Sequence, residues 1–231
     1  MATAKEAFLN TIEQQPDDSS YDELLDFDGY INVHESASNL GEIIAQGDIG
    51  QNELTTAVKT FDLFEKDVVD VSGTVTFSER RNGETLAEIQ ILNTVVGDNH
   101  PAHIHDGTAI EGGSVIFTFN PINGDTGKSV TNISTLDDAT PFSYRDLIAY
   151  NGYVNVHESD ANLSTVIAQG DIGGNALSGN FINYNLDEND MSGILGNAIF
   201  YERNNGNALA EISLQNTQAG ETHAAFIYSN T

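Results

Sequence analysis

The chain of 231 residues has no cysteine and no tryptophan, only four prolines, and only eight lysines and arginines together. Without cysteine there is no disulfide framework, thiolate nucleophile, iron–sulfur cluster or Cys-type zinc finger. Scarce basic residues, set against 35 aspartates and glutamates, give a formal net charge of −27. That balance excludes a nucleic-acid partner, whose phosphates need lysine and arginine, and opposes docking on anionic membranes. The reading given to the charge is a hydrated, salt-adapted surface. No apolar run is long enough for a membrane-spanning helix, so no membrane insertion is expected. The first ten residues show no apolar core of the signal-peptide type. Apolar residues nevertheless make up 39% of the chain, enough for a packed core.

What the sequence does have is an internal repeat, which has to be read first. Gly-Tyr-Ile-Asn-Val-His-Glu-Ser at 29–36 recurs as Gly-Tyr-Val-Asn-Val-His-Glu-Ser at 152–159. Ile-Ala-Gln-Gly-Asp-Ile-Gly at 44–50 recurs at 167–173, and Leu-Ala-Glu-Ile at 86–89 recurs at 209–212. The offset is always 123, and laying 20–108 on 143–231 without a gap gives 41 identities in 89 positions. The chain is 15 residues short of two whole copies, because 109–142 occur once and only the 19 residues before Ser20 stand opposite them. One copy, 52–174, is contiguous. The other must be assembled from 175–231 plus 1–51. It can close within the chain, which effective concentration favours, or be completed by a neighbouring chain. The second route gives rings or filaments, with exposed strand edges as the association sites.

Most segments read as β. Residues 71–77, 87–92, 114–119 and 153–157 alternate apolar and polar. Turn signals separate them at Asn82-Gly, Asn123-Gly-Asp, Asn151-Gly and Asn205-Gly. The expected class is all-β, with two similar sandwich lobes. A short N-terminal helix is expected over residues 2–15, ended by Pro16, and helical turns over 21–27 and 144–150.

The six histidines fall in two motifs. His100, His103 and His105 belong to His-Pro-Ala-His-Ile-His, and His157 to Asn-Val-His-Glu; the other copy has His223 and His34 at the matching positions. A His-x-His pair on a strand turns both imidazoles to one face. A third histidine from another strand then completes a site of the kind Cu or Zn accepts. The predicted metal ligands are His103, His105 and His157, with His100 nearby. In the other copy Phe226 and Tyr228 replace His103 and His105, so no strong site is expected there and the aromatics read as core filling.

Ala102-His-Ile-His with its following glycine-rich turn, and Gly152-Tyr-Val-Asn-Val-His-Glu leading to Ala168-Gln-Gly-Asp-Ile-Gly, resemble the CHRD domain, named for chordin and found in bacterial surface proteins. The likeness runs over residues 20–231, as one copy and a fragmentary second. More remotely, His103-Ile-His105 and Val156-His157-Glu158 are similar to copper-ligand segments of Cu/Zn superoxide dismutases. The resemblance implies a Greek-key, immunoglobulin-like sandwich, an extracellular or cell-surface location, and copper ligation by His103, His105 and His157. It does not bring the dismutase reaction, since a bridging histidine, a zinc cluster and a guiding arginine are missing and the charge repels an anionic substrate.

No nucleophile elbow, phosphate loop or dinucleotide fingerprint occurs. The short acidic clusters at 137–138 and 187–190 read as solvated loops, and Asp48 and Asp171, repeated in both copies, as structural. No catalytic or organic-cofactor residue is assigned. Two functions lead, a non-enzymatic module with a Cu or Zn site in one lobe and a self-assembling structural subunit whose split repeat is completed between chains; a copper redox activity is the one enzymatic reading, placed third.

Overall fold

The computed structural model describes residues 20–229. They divide into two compact units, one ending at Gly173 and one starting at Gly174. The fold is all-β with short helices. The helix expected over 2–15 lies outside the described residues.

The first unit opens with a six-residue helix, α1 (Tyr21–Asp26), held by a reciprocal capping box between Ser20 and Glu23. A hairpin follows, β1 (Asp28–Ser36) with β2 (Asn39–Gly50), which forms a two-stranded sheet of its own. The remaining strands are β3 (Leu54–Glu65), β4 (Ser72–Arg80), β5 (Thr85–Leu92), β6 (Asn99–His100), β7 (Ala102–Asp106), β8 (Val115–Thr118), β9 (Ile122–Asn123), β10 (Lys128–Ile133), β11 (Asn151–Ser159) and β12 (Asn162–Gly173). A second capped helix, α2 (Tyr144–Ala149), precedes β11. Hydrogen bonding links the ten strands in the order β6-β9-β10-β5-β4-β3-β12-β11-β7-β8. The link between β3 and β12 is only two residue pairs long, so the ladder is two sheets that share β3 at a corner.

Alternation builds the core from both sheets. Val75, Phe77, Ala87, Ile89 and Ile91 supply one wall, and Ala102, Ile104, Val154, Val156 and Ile172 the other, all essentially inaccessible to water. The apolar runs read from the sequence therefore point inward as their period requires. Asn151-Gly, expected as a turn, is instead the start of β11: α2 ends at Tyr150 in extended conformation and the chain passes directly into the strand. Gly152 serves close approach there, since a Cβ would lie 2.8 Å from the carbonyl oxygen of His105 on the neighbouring strand.

The hairpin is tied to the start of β3 and to the β4–β5 turn. The buried Arg80 guanidinium donates to Asp48 Oδ2 at 2.7 Å and to the backbone carbonyl of Asn52, and its Nε donates to Asn132 Oδ1 at 2.8 Å. Asn82 Nδ2 donates to the Asp28 carboxylate at 3.1 Å, and Arg81 pairs with Glu53 at 3.3 Å. Asp48, read as structural, is an anchor on a strand.

The second unit is a three-stranded antiparallel sheet, β13 (Leu177–Leu186), β14 (Leu195–Arg203) and β15 (Ala208–Gln215), in sequence order. Arg203 donates to the carbonyl of Asn175, and residues 221–229 form no ladder. Each of these strands stands 123 residues after β3, β4 and β5.

Candidate metal centre

Strand register brings the histidines together. β7 and β11 run antiparallel, with Tyr153 opposite His105 and Asn155 opposite His103. Side chains at 103, 105, 153, 155 and 157 fall on one face, while Ala102, Ile104, Val154 and Val156 fill the other and are completely buried. The core side of these strands thus fixes the imidazole side. A bulge between Val156 and His157 re-aims the third ring, and the His157 amide donates to Pro101 O at 2.8 Å.

One ring nitrogen from each of His103, His105 and His157 lies within 4.8 Å of the others, so the three can hold a metal ion. The ring centroids are 5.1 Å apart for His103 and His157, 5.9 Å for His103 and His105, and 6.4 Å for His105 and His157. His103 Nδ1, His105 Nε2 and His157 Nδ1 are all buried without a hydrogen-bond partner. Buried polar atoms are nearly always partnered, and these three nitrogens have no protein partner that would compete with a bound ion. Among the described residues no other group of His, Cys, Asp and Glu has such spacing.

The surroundings fix the tautomer needed for ligation. His105 Nδ1 lies 3.1 Å from the carbonyl oxygen of Gly113. A carbonyl only accepts, so Nδ1 carries the proton and Nε2 keeps its lone pair. The 106–114 loop presents that carbonyl: Asp106 N donates to Ser114 O at 2.9 Å, and any Cβ at Gly113 would collide with Asp106 O. Tyr153 stacks on the same imidazole, with centroids 4.8 Å apart and planes 19° from parallel.

Burial and neighbouring rings favour the neutral form of His103 and His157. Burial pushes the His103 pKa below its usual 6.5, and the His157 and His105 rings push it further, while Asp137 pulls it up. Burial likewise lowers His157, with the Leu163 backbone opposing and His105 adding a smaller downward effect. Three imidazoles gathered in this way form a nitrogen-donor set suited to a borderline transition metal.

His100 stands outside this group. It is buried, with Nδ1 2.8 Å from Glu158 O, a bond that ties β6 to the end of β11. Tyr153, Asn155 and Gly113 were given no role in the sequence, and Asp137, read there as part of a solvated loop, stands beside His103. Tyr153-x-Asn155-x-His157 carried the signal for the first two, because period 2 puts them on the ligand face. Asp137 is folded in beside the site by its bonds to Thr118 N at 3.1 Å and Thr118 Oγ1 at 2.8 Å, a placement no local pattern encodes. In the second unit Phe226 and Tyr228, expected as core filling, are 73% and 84% exposed. Comparison with protein-family models and with curated proteins gives no match.

Proposed function

We propose that the chain is a non-enzymatic, CHRD-like module that holds one Cu or Zn ion at His103, His105 and His157. The observation that carries the reading is the gathering of the three histidines, with one ring nitrogen of each within 4.8 Å of the others. Imidazole donors suit Cu and Zn better than Mg or Ca, which take oxygen, and the absence of thiolates leaves nitrogen as the softest donor in the set. The motif resemblance supports the CHRD assignment and, through it, an extracellular or cell-surface location. A holding role fits a chain whose −27 charge would repel small anionic substrates.

Equilibrium dialysis against Cu²⁺ or Zn²⁺ tests the reading. The expected result is one ion per chain for the unaltered protein and at least a tenfold weaker affinity for His103→Ala, His105→Ala and His157→Ala. His34→Ala, at the matching position of the other copy, should bind as the unaltered protein does. Equal metal content in the unaltered protein and the His103→Ala/His105→Ala double variant would overturn it.

A further inference from the structure

The complete copy is a template for the incomplete one. In it, β11 is flanked by β12 and β7, and β12 also meets β3. The matching hairpin, β1–β2, keeps the same internal register and the same bulges, yet both its outer edges lack a ladder partner among the described residues. Its apolar side chains are exposed: Tyr30 is 59% and Ile31 42% accessible, against 4% and 0% for Tyr153 and Val154 at the same places in β11. The second unit has the reciprocal gap. Among the described residues its strand β13 pairs only with β14. Tyr184 and Ile212 are 55% and 45% accessible, where their counterparts Phe61 and Ile89 are 6% and 2%. These side chains, with Leu186, Phe200, Leu214 and Phe226, line one open apolar trough. Unpartnered edges beside apolar faces of this kind are templates for strand addition.

We propose that the β1–β2 hairpin of one chain completes the second unit of another copy, in the register of the contiguous lobe. The 123-residue offset specifies the contacts. The pairs Tyr153/His105, Val154/Ile104 and Val156/Ala102 become Tyr30/Tyr228, Ile31/Ile227 and Val33/Ala225. The pairs Ala168/Glu65 and Gln169/Phe64 become Ala45/Glu188 and Gln46/Asp187. The hairpin is fastened within the first unit by Arg80 and Asn82, so it docks as part of that unit, and the occupant assigned to the trough is the hairpin of a second copy. Each chain then offers one hairpin and one trough, a head-to-tail pair of surfaces. This assembly stands apart from the metal site: all three ligands lie on β7 and β11 of the first unit.

The test mixes two full-length variants, one with the hairpin blocked (Ile31→Asp) and one with the trough blocked (Ile227→Asp). Light scattering should find the unaltered chain in species of two or more copies, growing with concentration, and each variant alone as a monomer. An equimolar mixture should form a heterodimer, twice the mass, and stop there. A second pair, Tyr30→Cys and Tyr228→Cys, covers the case that an aspartate disrupts folding: oxidised together, they should give a disulfide-linked pair of chains, clean because the chain has no other cysteine. A monomeric unaltered chain at all concentrations, or mixtures of both pairs that neither associate nor cross-link, would overturn the proposal.

Discussion

Three histidines form the candidate site, and the protonation of two of them bears on how stability responds to pH. His103 and His157 have pKa values lowered in the folded protein from the 6.5 of an unperturbed imidazole. On acidification the unfolded chain therefore takes up protons first. The stabilisation is fully present above pH 6.5 and is lost as pH falls from there towards the folded values. Urea titrations of metal-free protein should show the midpoint level near pH 7 to 8 and declining below 6.5, with a smaller decline in His103→Ala/His157→Ala. Protons and metal compete for the same lone pairs, so affinity should fall over the same window. Arg80 is the other consequential single residue. Its side chain is 8% exposed and its partner Asp48 32%, so Arg80→Ala should cost about 2 kcal/mol, below the range for a wholly buried pair. Denaturant unfolding measures that directly.

At the scale of elements, identical positions in the two copies experience different environments. Leu63 on β3 is 1% exposed and Leu186 on β13 36%. Leu63→Ala should cost about 3 kcal/mol, whereas Leu186→Ala in monomeric protein should cost about 0.5 kcal/mol; chemical denaturation of both variants checks the asymmetry. Much of this level was legible in the sequence. Strands β4, β5 and β11 follow from alternation, the helical turns expected over 21–27 and 144–150 appear as the two short helices, and the histidine triad follows from His-x-His plus one more histidine. Other parts were not. Asn151-Gly has turn composition, but the need was for a strand without a Cβ beside His105 O. His100 sits within the same hexapeptide as two ligands, yet Pro101 and a change of strand carry it to another sheet partner, β9. Sequence proximity could not reveal that step.

For the whole molecule, duplication and asymmetry must be taken together. The repeat supplies two versions of one lobe, yet histidines at both β7 positions exist in only one, because Phe226 and Tyr228 replace them. The expected stoichiometry is one metal per chain. The acidic surface also bears on assembly: with a net charge of −27, copies repel one another at low ionic strength, and salt screens this within a Debye length of about 10 Å at 0.1 M. Sedimentation should therefore show association strengthening as salt rises from 0.05 to about 1 M, while dissociation on adding salt would speak against an apolar interface. The central claim, one ion held by three imidazoles, is tested most directly by electron paramagnetic resonance of the protein titrated with Cu²⁺. One equivalent should give a single species with nitrogen hyperfine splitting, reduced to fewer nitrogens in His103→Ala/His105→Ala. An unaltered spectrum in that variant, or a signal from solvated copper alone in the unaltered protein, would contradict it.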